Sequence, residues 1–365
     1  MPTVFDSWNL RIPERLEFSA MNPRAQLELF ASVALLAPTT HNTVPQRIRI
    51  DCDRSALHLA LDRRAILPQS DAAGRQATIS LGAAISNVLI AAEAYGAHAR
   101  MTFDAEARPR PARDGEIDIE RVATIVFGGV QEPSRDLDWM RAIARRKMVR
   151  AEFDERLKLE PVLADTMHST VRRVHPGLML HLITDSPTLL ALGKFQELAD
   201  STVINRAPFA RELADWLEEN DSERAVGMRG REFGLSDDAA RRFKAGLAGR
   251  GPLLPDETAA FAKAGNVGMR SSSAVAVITV ANDNVEHRLA AGRAFEELAL
   301  LLTMADYAVA MHAGITEVEG PNRALRGRLR TLQRPTVVFR TGKPLREPDA
   351  ERPHSARPSL QEVLY

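Results

Sequence analysis

The residues best suited to bind a ligand lie in one short segment, residues 37–46, which read APTTHNTVPQ. An apolar helical pattern precedes the segment and an alternating pattern follows it, so we expect a loop between a helix and a strand. Pro38 disfavours helix in the residue before it and ends the helix. Thr39, Thr40 and Asn42 then offer hydroxyl and amide groups at the loop tip. The alternative is an ordinary polar loop capped by its own Asn and Thr side chains.

A second candidate is the basic run RKMVR at residues 146–150. Arg146 and Arg150 carry guanidinium groups, which bind phosphate oxygens through two hydrogen bonds, and Lys147 adds a point charge. Arg357 lies near the C-terminus and could meet the same phosphate if the tail folds back. The alternative is a solvated basic run at the start of a helix.

For Arg141 and Arg145 we favour that solvated interpretation. His41 lies within the polar loop and could touch a substrate, but a lone histidine is more often a hydrogen-bonding residue at a loop tip. The sequence contains nine histidines, but it has no HExxH motif and no two histidines three or four residues apart. We therefore expect no catalytic metal. The GxSxG, GxxxxGK and GxGxxG motifs of hydrolases and nucleotide-binding proteins are absent from the sequence.

Composition narrows the class of protein. The chain has 365 residues, 45% of them hydrophobic, which is normal for a globular protein with a sizeable core. Lys and Arg equal Asp and Glu at 48 each, and aromatic residues make up 5%, so we expect no nucleic-acid partner. Cys52 is the only cysteine and no leader is evident, which predicts a cytoplasmic protein. The apolar stretches at 83–92 and 299–302 are too short or interrupted for a membrane span.

Two segments of the chain resemble each other. Residues 82–96 (GAAISNVLIAAEAYG) and 292–307 (GRAFEELALLLTMADY) both read as buried helices that begin at a glycine. Gly96 ends the first, and Asp306, which tolerates a left-handed backbone, occupies the matching place in the second. Short β-branched runs follow at 123–128 and 335–340 and predict buried strands.

The parallel extends upstream of these helices. Amphipathic helices are predicted at residues 24–36 and 153–168, and each is followed by a run with two-residue apolar spacing, at 48–52 and 178–182. We therefore predict two related halves, residues 1–140 and 141–365. Residues 221–268 have no counterpart in the first half, so we expect a helical insertion there that could act as a lid.

The loop APTTHNTVPQ resembles the AP-S-x-x-N-x-Q-P-W loop of FMN-dependent nitroreductases, above all their Acg-type branch. Residues 62–68, 71–75 and 80–84 resemble further blocks of that branch in the same order. RKMVR resembles the family's R-R-S/T-x-R phosphate motif, and ARPSLQEVL at 356–364 resembles its terminal RRP-x-x-x-E-V-L.

The chain departs from this family pattern at four places. Val44 and Gln46 replace the family's glutamine and tryptophan, Met148 replaces a serine or threonine, and Ala356 replaces an arginine.

This resemblance implies an α+β, nitroreductase-like fold: a tandem pseudo-dimer of two mainly antiparallel sheets packed with helices. It implies FMN as the cofactor, bound by the polar loop (Pro38, Thr39, Thr40 and Asn42) and by the cations Arg146, Lys147, Arg150 and Arg357. Each half supplies one part of the site, so we expect one FMN per chain and a monomer. Arg150 is placed by the resemblance to stabilise the negative charge of the reduced ring.

The activity implied is hydride transfer from NAD(P)H, through flavin N5, to a small aromatic acceptor such as a nitroaromatic or a quinone. The alternative is a non-catalytic protein that sequesters FMN beneath its own lid, as the Acg-type branch suggests. A third interpretation is an oxidative specialist, a dehalogenase or a flavin-fragmenting enzyme.

Overall fold

The computed structural model describes residues 3–113, 115, 117–251, 255–345 and 354–365. Its helices are α1 (Arg15–Ala20), α2 (Pro23–Leu35), α3 (Arg75–Tyr95), α4 (Asp138–Arg145), α5 (Pro161–Val174), α6 (Ser186–Ile204), α7 (Ala207–Trp216), α8 (Asp237–Leu247), α9 (Pro255–Arg270), α10 (Val285–Met304), α11 (Gly314–Glu317), α12 (Glu319–Leu329) and α13 (Leu360–Val363). Its strands are β1 (Gln46–Asp51), β2 (Ala56–Asp62), β3 (Ala97–Phe103), β4 (Ile119–Val130), β5 (Leu178–Ile183), β6 (Leu217–Glu218), β7 (Met228–Arg229), β8 (Ala274–Val280), β9 (Ala308–Met311) and β10 (Arg334–Gly342).

Two four-stranded sheets organise the chain. The first has the order β1-β2-β4-β3 and the second β5-β8-β10-β9, so the strands of each occur in the same relative order. Every pairing within these two sheets is antiparallel, whereas the short β6 and β7 pair in parallel. The expected α+β fold, two mainly antiparallel sheets packed with helices, is confirmed.

One long helix belongs to each sheet, and both end as the sequence predicts. Helix α3 connects β2 to β3 and stops at Gly96, whose φ of 70° is left-handed. Helix α10 connects β8 to β9, and Asp306 just beyond it has a φ of 57°. Both helices end where the chain has a residue type, glycine or aspartate, that adopts the left-handed backbone region at low cost.

Helix α3 begins at Arg75, seven residues before the start that the apolar stretch at 82–96 predicts. By length and composition it passes a membrane-span test, with a mean hydropathy of 1.5, but 89% of that window is buried inside the fold. It is therefore the central helix of a protein core.

Helices α3 and α10 pack against each other at two glycines. A Cβ atom on Gly82 would overlap the carbonyl oxygen of Leu289, and a Cβ on Gly292 would overlap that of Ile79. Each glycine thus faces the residue three positions before the other glycine. Only glycine permits two backbones to approach this closely.

The cores of the two sheets interlock across this crossing. The core under the first sheet includes Leu289 and Leu300 from α10, and the core under the second sheet includes Ile79 from α3. Each core therefore includes residues from the helix that belongs to the other sheet.

Two expectations need correction. The helix predicted at 153–168 begins only at Pro161, where the fixed φ of proline suits a first helical position. Phe153 is buried and instead bridges to Pro344.

The insertion is also larger than the predicted 221–268. Strands β5 and β8 are neighbours, yet α6 to α9 lie between them, whereas β1 and β2 are joined by residues 52–55. Helix α6 has an apolar pattern like that of a core helix, so its sequence does not distinguish it from the common fold.

We expect Gly82→Ala and Gly292→Ala each to destabilise the protein by roughly 1–3 kcal/mol, because a methyl group must force the two helices apart. Urea unfolding measures the change. Gly327→Ala is the matched control: Gly327 is exposed within α12 and its Cβ would meet nothing within 4 Å. That variant should gain stability, by about 0.5–1 kcal/mol. Equal effects at all three glycines would contradict the crossing.

Candidate functional site

The polar loop turns back sharply after α2. Residues Thr40–Asn42 form one 3-10 turn, and His41, Asn42 and Val44 have φ angles of 48°, 54° and 47°. Left-handed φ is unusual for any residue with a Cβ and most of all for a β-branched valine. Such a backbone persists only where surrounding contacts hold it.

Asn42 supplies these contacts. Its side-chain Nδ2 donates to the carbonyls of Gly227 and Ala356, at 3.0 Å each, and its Oδ1 accepts from Arg357. The amide of Gly227 also donates to the Asn42 carbonyl, at 2.9 Å. Asn42 therefore joins the loop to the insertion and to the C-terminal tail.

The C-terminal end of α2 is capped by two arginines from distant parts of the chain. Arg357 donates from Nε to the Leu35 carbonyl (2.8 Å) and from Nη2 to the Ala37 carbonyl (3.0 Å). Arg146 donates from Nη2 to the Leu36 carbonyl between them, at 2.6 Å. The last carbonyls of a helix lack partners within it and carry partial negative charge, so cations stabilise them.

The two buried arginines belong to a group of basic residues that we call the tail cluster: Arg146, Lys147, His354 and Arg357. Glu296 pairs with Arg146, its Oε1 lying 3.1 Å from Nε. Burial and then the charge of Arg146 lower the pKa of Arg357 to about 9. Burial followed by Lys147, Arg146 and Arg357 lowers the pKa of His354 to about 3. Glu296 and Glu232 are the carboxylates whose charges act on Arg357, and His354 is neutral near pH 7.

A second group, which we call the strand cluster, contains His41, Arg150, His312 and Arg340. Burial and then Arg150 lower the pKa of His41 to about 4. Burial followed by Arg340 and Arg150 lowers the pKa of His312 to about 3. Arg340, which ends an apolar run in β10, has its pKa lowered to about 10 by burial and then by Arg150. Both histidines are therefore neutral near pH 7.

Several donors or acceptors of the strand cluster are buried without a hydrogen-bond partner among the described residues. They are Nδ1 of His41, Nε2 of His312, and Nε and Nη1 of Arg340. A buried polar atom without a partner costs about 1–3 kcal/mol, so a ligand that bonds to these atoms would be stabilised by them.

Residues of the insertion contact Arg150, whose side chain is 39% exposed. The Arg150 guanidinium lies 4.4 Å from the ring centroid of Phe233, and its Nη1 is 3.5 Å from Oε2 of Glu232. Its Nη2 lies 3.9 Å from the Met228 sulfur. Together with the contacts of Gly227 and Asn42, these place the start of the insertion over the loop and the basic run.

Three carboxyl groups have raised pKa values, and one of them lies beside the loop. Asp71 lines a small cavity that it shares with Thr40 and Thr43. Burial is the main cause of raised pKa values at Asp71 (to about 6), Asp200 (to about 7) and Glu317 (to about 8). For Glu317 the charge of Asp71 is the second cause.

The structure brings together residues that the sequence could only propose as partners. Asn42, Arg146 and Arg357 meet at the end of α2, while His41 and Arg150 lie in the strand cluster.

The other predicted site residues lie beside these groups. Pro38, Thr39 and Thr40 are half-buried, and Thr39 Oγ1 accepts from the Val44 amide at 3.1 Å. Lys147 faces His354. The role of each in binding stays a prediction.

His312 and Arg340 were missed in the sequence. An arginine that closes the apolar run PTVVF was the available signal for Arg340. His312 directly follows the short strand β9 and has no such signal. Within the described ranges, three or more His, Cys, Asp or Glu residues nowhere gather as metal ligands.

No family model matches the chain. Two uncharacterized proteins of Mycobacterium tuberculosis, MT3212 (strain CDC 1551 / Oshkosh) and Rv3127 (strain ATCC 25618 / H37Rv), are each 24% identical over 330 residues, covering 85% of this chain and 84% of theirs.

Solved structures to which parts of the chain are similar include nitroreductases. The FMN and NADPH-dependent nitroreductase NfnB from Sphigopyxis sp. strain HMH is 18% identical, covering 62% of this chain and 96% of its own, with a TM-score of 0.39. The FMN-dependent nitroreductase NfnB of Mycobacterium smegmatis, in complex with NADPH, is 13% identical with the same coverage and a TM-score of 0.38. A nitroreductase with bound FMN from Bacteroides fragilis NCTC 9343 is 8% identical over 59% of this chain and 92% of its own, with a TM-score of 0.38.

We expect Asn42→Ala to lower the free energy of unfolding by roughly 1–3 kcal/mol, because it leaves buried groups of Arg357 and the backbone unpaired. Asn205→Ala is the control, since Asn205 is exposed and donates once, to the Ser201 carbonyl. Urea unfolding of both variants measures the difference. Equal, small effects would mean that Asn42 does not hold the loop.

We expect Glu317→Gln to stabilise the protein increasingly as the pH rises. The carboxyl is protonated in the fold up to about pH 8, whereas in the unfolded chain it ionises near pH 4.5. Wild-type stability from this group is therefore present below pH 4.5 and is lost as pH rises towards 8, by at most about 1.4 kcal/mol per pH unit. Glu319→Gln, at an exposed position, is the control. Parallel unfolding free energies for both variants across pH 5–8.5 would overturn the assignment.

Proposed function

We propose that this protein is an FMN-dependent oxidoreductase of the nitroreductase-like superfamily, on the Acg-type branch. The observation that carries the proposal is the meeting of three sequence-remote segments. Asn42 of the polar loop, Arg146 of the basic run and Arg357 of the tail converge on the end of α2. These are the segments whose motifs resemble the two parts of an FMN site.

The charges of the site fit such a ligand. FMN has a phosphate dianion at one end and an electron-rich edge on its ring at the other, and the protein has two cationic groups, the tail cluster and the strand cluster. Buried donors without partners in the strand cluster suit an anionic or acceptor-rich group. The resemblance assigns the phosphate to Arg146, Lys147 and Arg357, and the ring to Pro38, Thr39, Thr40 and Arg150.

Bound FMN would accept a hydride at N5 from NAD(P)H and pass it to a nitroaromatic or quinone-like acceptor. The chain itself supplies position and charge. Arg150 provides a positive charge that favours the reduced ring, and the contacts of the insertion with Arg150 and Asn42 hold the loop in position. His41 remains a candidate for substrate contact, where its neutral ring offers one donor and one acceptor.

We infer that the chain is a built-in pseudo-dimer with halves at 1–140 and 141–365. The equal strand order of the two sheets and the reciprocal contacts of Gly82 and Gly292 support this duplication. The polar loop comes from one half and the basic run from the other, so one chain suffices for one site. We therefore propose a monomer, and the location in the cytoplasm stays a proposal from the sequence.

The second candidate function is storage of FMN without turnover. The observation that favours it is the cover over the site: Gly227 bonds to Asn42, and Phe233 stacks on Arg150. A cover held this closely would hinder NAD(P)H from reaching a bound ring.

The test is to purify the protein, count its flavin and add NADPH without oxygen. We expect one FMN per chain, a monomer by light scattering, and rapid bleaching of the flavin band. Bound FMN that NADPH does not bleach would favour storage. Protein that refuses added FMN would refute the proposal, and two FMN per chain would refute the single site. Arg141→Ala, at an exposed position, should behave as wild type.

A further inference from the structure

Glu232 is an acidic side chain of the insertion that reaches both parts of the candidate site. It lies in the 3-10 turn Gly230–Phe233, and its Oε2 is 3.5 Å from Nη1 of Arg150 and 3.4 Å from Oγ of Ser355. Ser355 belongs to the C-terminal tail, two residues before Arg357. One carboxylate from the insertion thus contacts the arginine assigned to the flavin ring and the tail segment assigned to the phosphate.

The charge of Glu232 acts on the phosphate arginine itself. Burial and then Arg146 lower the pKa of Arg357 to about 9, and two carboxylates oppose this lowering, first Glu232 and then Glu296. Arg146, Lys147 and Arg357 form the cationic group of the site, so Glu232 offsets part of the positive potential that a phosphate would meet there.

The two carboxylates differ in how firmly they are held. Glu296 lies within α10, is 0% exposed, and has Oε1 3.1 Å from Nε of Arg146. The side chain of Glu232 is 19% exposed, and its distances to Arg150 and Ser355 are at the long end of the hydrogen-bond range. A long, partly exposed ion pair contributes little, so Glu232 can give up these contacts at small cost, whereas Glu296 cannot.

A phosphate bound at the tail cluster would depend on the same positive charge. A phosphate monoester carries close to two negative charges near pH 7, and Arg146, Lys147 and Arg357 would supply the opposite charge. Glu232 repels such a group and at the same time reduces the field that attracts it. Riboflavin, which has the same ring and no phosphate, meets no such competition.

We propose that Glu232 determines the affinity of the site for phosphorylated ligands: it is an internal anion that competes with the phosphate of the flavin for the positive charge of the tail cluster. This inference rests on the proposed function, which assigns the phosphate to Arg146, Lys147 and Arg357. Arg150 keeps its assignment to the ring.

The test compares FMN with riboflavin in the wild type and in Glu232→Gln. The glutamine keeps the length of the side chain and an oxygen to accept from the Arg229 amide, as Oε1 of Glu232 does at 3.2 Å. Dissociation constants come from quenching of flavin fluorescence. We expect FMN to bind about two- to fivefold more tightly to the variant, the effect of removing one partly exposed charge, and riboflavin to bind as it does to the wild type.

Two variants serve as controls. Glu232→Asp keeps the negative charge and should keep the wild-type preference between the two flavins. Glu219→Gln removes a carboxylate from an exposed position of the insertion, 3.8 Å from Arg241, and should also leave that preference unchanged. If Glu232→Gln changes the binding of both flavins equally, or of neither, competition for charge is wrong while the proposed function stands.

A second measurement covers the case in which neither flavin binds to any variant, which refutes the proposed function. Inorganic phosphate, compared with chloride at equal ionic strength, should raise the melting temperature of Glu232→Gln more than that of the wild type. In chloride alone the variant should be the less stable protein, because it has lost an internal counter-ion. A variant whose melting temperature is lowered by the same amount in both salts would show that Glu232 only holds the turn, and would overturn the inference. Glu232→Ala replaces Glu232→Gln if the latter does not fold.

Discussion

The contact of α3 with α10 is the constraint on which the rest of the structure depends. Gly82 and Gly292 each lie against the backbone of the other helix, so the two helices pack more closely than side chains would permit. Because α3 joins β2 to β3 and α10 joins β8 to β9, this contact fixes one sheet relative to the other. The polar loop follows a helix packed on α3, and Glu296 of α10 pairs with Arg146. The geometry of the candidate site is thus set by the crossing.

The end of α2 is the second junction in the chain. Three successive carbonyls, from Leu35 to Ala37, are bonded by Arg357 and Arg146. In most helices these carbonyls face water or a glycine cap. Here two arginines from outside the helix take that role, so the end of α2, the start of the second half and the C-terminal tail are held by one set of bonds. The tail is consequently part of the site.

Helices and strands could be predicted from the sequence where neighbouring residues alone determine them. The stops at Gly96 and Asp306 depend on single residues, and the strands at β4 and β10 are apolar runs, so all could be predicted. Strand β9 has four residues and no alternation that distinguishes it, and Phe153 gains its place by contact with Pro344, far along the chain. His312 and Arg340 become neighbours only because β9 pairs with β10. The motifs indicated which segments meet, but the bonds that use up the donors of Arg357 could not be read from them.

The strained loop and its cover are coupled by the same bonds. Left-handed backbone at the β-branched Val44 costs on the order of 1–3 kcal/mol, and the loop can hold it because the neighbouring Asn42 is bonded to Gly227 and Ala356. If the insertion moves away, Asn42 loses its bonds to Gly227, and the strain is no longer offset. Opening of the insertion and relaxation of the loop should therefore occur together. A ligand that reaches the loop must supply donors or acceptors that replace those of Gly227, and this requirement favours ligands with a polar edge over purely apolar ones.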